Sequence, residues 1–210
     1  MSGYFITLEG GEGAGKTTVL PLLKEKLSNL GYDVLLTREP GGIEIAEKIR
    51  DIVLDKNHPE MDRRTEALLF AAARRQHLVQ KVLPALKAGK IVVCDRFIDS
   101  SLAYQGYASG LDMEEVFMVN QFAIEDTMPD ITIFFDISPQ QGLERIAANT
   151  HRERNRLDLE NLAYHEKVYT AYRMLLQKDS RRIKAIDASQ RLEQVANEAM
   201  KVITNFLQDH

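Results

Sequence analysis

The chain has 210 residues, of which 44% are hydrophobic and 28% are charged, and its formal net charge at pH 7 is −4. These values are typical of a globular protein with one domain and a substantial core. The acidic balance argues against general nucleic-acid binding, which usually needs a basic face. No apolar run approaches the roughly 20 residues of a membrane-spanning helix, and no signal peptide is visible. We therefore expect a cytoplasmic protein with neither nucleic acid nor membrane as a partner.

The first motif is a glycine-rich turn between an apolar, strand-like run at residues 4–8 and an amphipathic helical pattern. It fits the phosphate-binding loop G-x-x-x-x-G-K-[ST], with Gly10 and Gly15 as its fixed glycines. Such a loop turns its backbone N–H groups toward phosphates, and the helix that follows adds a positive dipole end. The pattern predicts that Lys16 reaches the β- and γ-phosphates and that Thr17 holds Mg²⁺.

Two alternatives compete with this interpretation. The first is an ordinary glycine-rich surface turn, which does not explain why a strand, a loop and a helix occur in this order. A dinucleotide-binding G-x-G-x-x-G could begin at Gly11 and Gly13, but Lys16 stands where its third glycine would fall. The loop therefore indicates a nucleoside triphosphate, without indicating how that molecule is used.

Further strands are predicted at 33–37, 90–95, 130–136 and 182–186. Helical periodicity is present at 43–53, 63–88, 100–107, 114–126, 138–149, 159–178 and 192–206, with a break or kink expected at Pro84. Strands that alternate with helices predict an α/β fold in three layers, in which a five-stranded parallel sheet has helices on both faces. Cys94 falls inside the third strand and is expected to be buried.

Polar residues follow the predicted strands at the edge where such sheets bind ligands. Arg38 and Glu39 follow the second strand, and Asp95 and Arg96 follow the third. The GTPase motifs N-K-x-D and D-x-x-G are absent from the sequence, which leaves a small kinase as the favoured class. Such an enzyme needs a cationic acceptor site and a cationic cover.

Arginines supply candidates for both features, because the planar guanidinium group donates paired hydrogen bonds to phosphate. The acceptor-site candidates are Arg38, Arg50, Arg74 and Arg96. The cover candidates are Arg152, Arg154 and Arg156, in a charged segment at about 150–158 that lacks apolar periodicity. Arg50 and Arg74 could instead be solvated helix-face residues.

The segments 10–18, 38–42, 70–75, 95–101, 103–106 and 155–158 together resemble those of bacterial thymidylate kinases. The resemblance extends over essentially the whole chain and is strongest to the enzymes of Gram-positive bacteria. It implies a phosphate-loop nucleoside monophosphate kinase fold in a single domain, residues 1–210, with a flexible lid at about 150–158. It also implies a homodimer that uses ATP and Mg²⁺ to convert thymidine 5′-monophosphate (dTMP) to thymidine 5′-diphosphate (dTDP).

The resemblance also assigns binding roles. ATP would bind Gly10, Gly11, Glu12, Gly13, Ala14, Gly15, Lys16, Thr17 and Thr18. The acceptor nucleotide would bind Arg38, Glu39, Pro40, Arg50, Phe70, Arg74, Arg96, Ser101, Tyr104 and Gln105. The metal would be held by Thr17, Asp95 and Glu39. The residues implied in catalysis are Lys16, Arg96, Arg152, Arg156, Asp95 and Glu12.

Among the acceptor-site residues, Phe70 would stack on thymine, while Arg74 and Gln105 would hydrogen-bond its edge. Ser101 would line the base pocket, and Tyr104 would pack beneath the deoxyribose, where a 2′-hydroxyl would clash. Arg38, Arg50 and Arg96 would hold the acceptor phosphate. Without the resemblance, helical spacing favours a core position for Phe70, and Tyr104 has a similar alternative.

Members of this family place a catalytic arginine either in the phosphate loop or in the lid. The loop here has no arginine, so the lid is expected to supply it. Arg152 is the first candidate, Arg156 the second and Arg154 the third. A kinase for another monophosphate, such as uridylate or cytidylate, and a non-catalytic nucleotide-dependent switch stay open as alternatives.

Overall fold

The computed structural model describes residues 3–148 and 156–209. It contains one parallel sheet in the strand order β2-β3-β1-β4-β5. The strands are β1 Phe5–Glu9, β2 Val34–Arg38, β3 Ile91–Asp95, β4 Ile131–Asp136 and β5 Ile183–Asp187. The predicted α/β fold with five parallel strands is confirmed, and each strand begins one residue later than the sequence predicted.

Helices cover both faces of this sheet. The α-helices are α1 Lys16–Asn29, α2 Glu44–Val53, α3 Arg63–His77, α4 Leu83–Lys87, α5 Ile98–Ser101, α6 Met113–Ile124, α7 Pro139–Ala148, α8 Leu162–Lys178 and α9 Leu192–Gln208. In the described part of the chain, none of the helices is both long enough and apolar enough to cross a bilayer.

Alternate strand residues enter two separate cores, as the two-residue period of a β-strand requires. Phe5 and Phe134 pack on the side that contains α3, α6 and α8. Ile6 and Ile133 pack on the other side, against α1 and α9. Cys94 is buried in β3, as expected. The central strands are therefore buried on both faces, which explains their nearly continuous apolar sequence.

The region predicted as one helix with a break or kink at Pro84 is a continuous helical stretch, so the break does not occur, while a kink stays a prediction. A π-helical segment, Leu78–Val82, joins α3 to α4. Proline cannot donate a hydrogen bond to the carbonyl group four residues earlier, and the wider π turn immediately before Pro84 accommodates this loss. A second π segment, Leu102–Ala108, extends α5.

Capping side chains set several helix starts. The Asn161 side chain accepts a hydrogen bond from the backbone N–H of Tyr164 (3.0 Å), so α8 begins at Leu162, three residues later than predicted. A 3₁₀ turn, Leu157–Leu159, precedes it. The hydroxyl of Ser138 accepts a hydrogen bond from the N–H of Gln141 (3.3 Å) at the start of α7.

Candidate functional site

A cavity of about 970 Å³ opens at the carboxyl edge of the sheet. It brings together most of the site residues predicted from the sequence. Those that line it are Glu12, Gly13, Ala14, Gly15, Lys16, Thr17, Thr18, Arg38, Glu39, Pro40, Arg50, Phe70, Arg74, Asp95, Arg96, Ser101, Tyr104 and Gln105. Residues after β1, β2 and β3 therefore converge on one site, as the parallel topology predicts.

The glycine-rich loop between β1 and α1 packs closely on the helix α7. Gly13 has φ 72°, and a Cβ atom there would lie 2.0 Å from the carbonyl oxygen of Gly142. A Cβ atom on Gly142 would in turn lie 2.2 Å from the carbonyl oxygen of Glu12. Only glycine fits at both positions, because the two backbones touch.

Lys16, the first residue of α1, lies under this loop. Its Nζ atom donates to the carbonyl oxygens of Gly10 (2.9 Å) and Gly11 (3.0 Å). Burial and the nearby charge of Arg96 lower the pKa of Lys16 to about 8. The ammonium group is thus held at the phosphate loop and remains mostly protonated at neutral pH.

Thr17 and Asp95 meet between α1 and the end of β3. The hydroxyl of Thr17 donates to Asp95 Oδ2 (2.8 Å). The other carboxylate oxygen, Asp95 Oδ1, is buried, and no hydrogen-bond partner for it is found within residues 3–148 and 156–209. Buried polar atoms are normally paired, so a buried carboxylate oxygen without a partner suits a cation ligand.

Arg96, Glu12 and Tyr104 form a compact cluster in the middle of the cavity. Arg96 Nη2 donates to Glu12 Oε1 (2.6 Å), and the Tyr104 hydroxyl donates to the same oxygen (3.2 Å). The Arg96 guanidinium carbon lies 5.0 Å from the centroid of the Tyr104 ring. The Arg96 backbone has φ 70°, an uncommon conformation for a residue with a side chain. Non-glycine residues in this conformation cluster at functional sites.

Sequence reasoning missed Glu9, the last residue of β1, which is fully buried behind Arg96. Its carboxylate accepts hydrogen bonds from the Phe97 N–H (2.7 Å), the Ser100 hydroxyl (2.6 Å) and the Tyr172 hydroxyl (2.8 Å). Burial, with the nearby charge of Asp99, raises the pKa of Glu9 to about 7.

Two further arginines line the cavity beside the loop that follows β2. Arg50 Nη1 donates to the carbonyl oxygen of Pro40 (3.0 Å), and Arg38 Nη2 donates to the Glu47 carboxylate (2.8 Å). The Arg38 side chain is 52% exposed, which leaves it accessible to a ligand. Arg50 lines the cavity and is half-buried, which favours a role in the site over a purely solvated position, and its contact with a ligand stays a prediction.

The far end of the cavity is built from α3 and the second π segment. Phe70 lines it while also packing in the core, so the two interpretations of this residue are compatible. Arg74 is 2% exposed, which excludes the solvated alternative. Its guanidinium group donates to Glu39 Oε2 (2.7 Å), the Ser101 hydroxyl (2.9 Å) and the Phe97 carbonyl oxygen (2.8 Å). It also donates to the side-chain oxygen of Asn120.

Glu39, expected from the resemblance to help hold the metal, has both carboxylate oxygens hydrogen-bonded. Oε2 accepts from Arg74 Nε, and Oε1 contacts His77 Nδ1 (2.8 Å). The other ring nitrogen of His77 contacts the Thr37 hydroxyl (2.7 Å). Glu39 therefore fixes Arg74 in the structure, and its contact with a metal stays a prediction.

The predicted lid falls largely outside the described residues. Arg152 and Arg154 are among those that the structure does not describe, while Arg156 is described. Arg156 donates to the carbonyl oxygen of Val53 and forms an ion pair with Glu66. Among the described residues, neither Arg156 nor Glu66 lines the cavity. The catalytic role of Arg156 stays a prediction.

The cavity also contains residues that sequence reasoning missed beside the phosphate loop. Arg145 of α7 donates to the carbonyl oxygens of Ala188 (2.9 Å) and Ser189 (3.1 Å), and Gln190 lies next to them. The sequence did contain a signal for residues 188–190, because they directly follow β5. They therefore lie at the same carboxyl edge of the sheet as the site residues predicted after the other strands.

A phosphate loop that opens onto a second cationic pocket, at the carboxyl edge of a parallel sheet, defines a phosphate-loop phosphotransferase. Comparison with known proteins makes this class more specific. The family model for thymidylate kinase matches residues 8–199. The thymidylate kinase of Oceanobacillus iheyensis is 61% identical over 209 residues, which cover 100% of this chain and 93% of that protein.

Two other relatives agree with this result. The thymidylate kinase of Bacillus velezensis is 61% identical, with 99% of this chain and 98% of that protein covered. The crystal structure of thymidylate kinase from Ehrlichia chaffeensis superposes with a TM-score of 0.79 at 33% identity, covering 97% of this chain and 100% of that one. The chain belongs to the thymidylate kinase family.

Proposed function

We propose that this protein transfers the γ-phosphate of ATP to dTMP, giving dTDP and ADP. The observation that supports the proposal is that one cavity joins the phosphate loop to a second group of cationic and aromatic side chains. Lys16 stands at the first end, Arg96 in the middle, and Phe70 and Arg74 at the second end. This arrangement suits direct transfer between two bound nucleotides, with no covalent enzyme intermediate.

Positioning and charge neutralisation account for the chemistry of such a transfer. An oxygen of the acceptor phosphate attacks the γ-phosphorus in line, and the bond to the leaving oxygen of ADP breaks. Lys16 would move its hydrogen bonds from the carbonyl groups of Gly10 and Gly11 to the ATP phosphates. Arg96 would hold the acceptor phosphate, with Arg38 and Arg50 beside it. Glu12, which already contacts Arg96 and Tyr104, would orient both.

A magnesium ion fits the donor set at the end of β3. Asp95 supplies the buried oxygen without a partner, and Thr17 supplies the neighbouring hydroxyl. When bound, Mg²⁺ would neutralise charge on the phosphates. Glu39 would help to organise the ion and its water shell, while its two oxygens keep the hydrogen bonds that fix Arg74 and His77.

The second pocket supports a pyrimidine deoxynucleotide as the acceptor. Phe70 offers an aromatic surface for stacking, which is typically worth about 1–3 kcal/mol per base. Arg74 has five N–H donors, and four hydrogen bonds from it are described, so one donor remains for a base carbonyl group. Ser101 lines this pocket, and Tyr104 would close the space that a 2′-hydroxyl group needs.

The single domain would be completed by a lid at about 150–158. A transferring phosphoryl group spreads negative charge over its oxygens, and the phosphate loop carries no arginine to meet it. An arginine in this role typically contributes a factor of about 10³–10⁵ to kcat. We assign the role first to Arg152, then to Arg156 and Arg154.

A cytoplasmic homodimer completes the proposal. Leu68 of α3 and Met118 and Phe122 of α6 are 57%, 66% and 90% exposed. The ion pairs Arg64–Glu115 and Arg75–Glu125 link the same two helices at the surface. Apolar side chains grouped in this way favour a second copy of the chain as their partner. Sedimentation of the protein and of Phe122→Ser tests this part, since a monomer at every wild-type concentration would refute it.

A coupled assay of ADP release, run with a panel of nucleoside monophosphates, tests the proposed reaction. The purified protein should turn over dTMP with a higher kcat/KM than uridylate or cytidylate. A preference for either of those two would instead identify another monophosphate kinase. Nucleotide binding without any turnover would indicate a nucleotide-dependent switch.

A further inference from the structure

Gln105, the residue expected to contact the base edge, is held from behind by a buried carboxylate. Its Nε2 atom donates to Glu66 Oε1 (2.8 Å), and Glu66 is only 4% exposed. The other Glu66 oxygen accepts from Arg156, whose guanidinium group also donates to the Val53 carbonyl oxygen. Arg156 lies 51 positions along the chain from Gln105, so no local sequence pattern links the members of this cluster.

The chemistry of a carboxylate fixes the orientation of the Gln105 amide. A carboxylate paired with an arginine only accepts hydrogen bonds, so the amide must present its NH₂ group to Glu66. Gln105 lines the cavity, whereas Glu66 and Arg156 do not appear among the described residues that line it. The amide oxygen is thereby turned away from Glu66, and as the only acceptor of the Gln105 side chain it is the atom available to accept a hydrogen bond from a ligand in the cavity. No donor within residues 3–148 and 156–209 is described on that oxygen.

A fixed acceptor at Gln105 next to a fixed donor at Arg74 matches one kind of pyrimidine. Thymine and uracil carry an N3–H donor beside the O4 acceptor. Cytosine carries the opposite pair, an unprotonated N3 beside an N4 amino donor. A site with buried polar groups rejects a ligand that leaves those groups unpaired, because the cost of desolvation is then not recovered.

We propose that Glu66, locked by Arg156, is a positioning residue that makes the site select 4-oxo pyrimidines over 4-amino pyrimidines, by holding the Gln105 amide oxygen toward the base. This inference rests on the proposed function and adds to it two residues that would act through Gln105 rather than touch the substrate. Arg156 is described in this contact, and the inference does not depend on any further role of Arg156 at the phosphoryl group.

The variant Glu66→Gln tests the proposal, because its own amide can either donate or accept. The Gln105 amide is then free to turn over and offer its NH₂ group to the N3 atom of cytosine. We expect the ratio of kcat/KM for dTMP to kcat/KM for deoxycytidylate to fall at least tenfold, mainly because the KM for dTMP rises. The ratio of dTMP to deoxyuridylate should stay within about twofold, because both bases present the same N3–H and O4.

Two further variants separate positioning from structural damage. Glu66→Asp keeps an acceptor-only carboxylate and should retain the wild-type ratio of dTMP to deoxycytidylate. Glu115→Gln removes an exposed carboxylate that pairs with Arg64 on the surface, and should change none of the ratios. An unchanged ratio in Glu66→Gln, or an equal loss on all three substrates, overturns the inference. Wild-type protein without dTMP turnover would instead overturn the proposed function.

Discussion

The buried carboxyl group of Glu9 should make the free energy of unfolding of this protein depend on pH. The single substitution Glu9→Gln should remove this contribution to the pH dependence. The pKa of Glu9 rises from 4.5 to about 7 in the folded protein. One pKa unit corresponds to 1.36 kcal/mol, so the shift amounts to about 3 kcal/mol of free energy of unfolding. The folded state binds this proton more tightly than the unfolded state does. The associated stability is therefore complete below about pH 4.5 and is lost as the pH rises through about 7.

Glu9→Gln is close to isosteric and cannot lose a proton. Its amide oxygen can accept from the Phe97 N–H, and its NH₂ group can donate to the hydroxyls of Ser100 and Tyr172, which accept as readily as they donate. The variant should therefore keep the fold. The difference in free energy of unfolding, Glu9→Gln minus wild type, should therefore increase by about 2–3 kcal/mol as the pH is raised from 5 to 8.

Urea unfolding at pH 5, 6, 7 and 8 measures this difference directly. Glu44→Gln is the matched control, since the Glu44 side chain is 81% exposed and pairs with a surface lysine, Lys48. A difference between Glu9→Gln and wild type that stays constant across the four pH values would refute the reasoning. It would mean that Glu9 titrates alike in the folded and unfolded states.

Three further predictions concern activity. Lys16→Ala should abolish ADP release while circular dichroism stays native, because the cation at the β- and γ-phosphates is lost; near-normal turnover would contradict the phosphate-loop assignment. Tyr104→Ala should narrow the preference of the enzyme for dTMP over its ribonucleotide, and an unchanged ratio would show that Tyr104 does not exclude the 2′-hydroxyl. Arg152→Ala should lower kcat at least about a hundredfold with dTMP binding little changed, and comparison with Arg154→Ala and Arg156→Ala ranks the lid arginines; wild-type kcat in all three would refute a lid source for the charge.

The fold could be predicted from the sequence because its signals are local. Each strand is a short apolar run, each helix has its own periodicity, and the glycine-rich turn lies directly between the first pair. Topology then places the carboxyl ends of β2 and β3 at the same edge as the phosphate loop, so Arg38, Asp95 and Arg96 were predicted to lie at the site without any contact information. The π segments were not predicted, because they depend on how the helix backbone adjusts to a proline or to the packing of the helix.

The supporting contacts of the site could not be predicted, because they join residues that are far apart in sequence. Ser100 and Tyr172 contact Glu9 across 91 and 163 positions. Ser100 lies in the segment 95–101 that resembles the family, but no role was assigned to it, and Tyr172 lies in no motif. A glutamate at the end of an apolar strand can equally be interpreted as solvent-exposed. Similarly, periodicity indicated a core position for Phe70 and the family resemblance implied a stacking role, whereas the structure shows that this side chain packs in the core and also lines the cavity.

The three buried glutamates discussed above, Glu9, Glu39 and Glu66, are subject to the same physical requirement. An ionised carboxylate is costly to bury unless aligned donors satisfy it. Glu39 meets this condition by fixing Arg74 and His77, and Glu66 meets it by fixing Gln105.

Glu9 meets the condition only in part, because burial still raises its pKa to about 7. Two of its donors are hydroxyls that also contact a cavity residue. The Ser100 and Tyr172 hydroxyls that donate to Glu9 both accept from Arg96 Nη1, at 3.2 and 3.4 Å. The carboxylate thus lies one hydrogen bond behind the arginine that would hold the acceptor phosphate. Replacing Glu9, Glu39 or Glu66 should therefore affect a different substrate group in each case: the phosphate for Glu9, the base carbonyl group for Glu39 and the base N3 for Glu66. Stability alone does not account for this arrangement, in which each buried carboxylate lies behind a different donor or acceptor that faces the ligand.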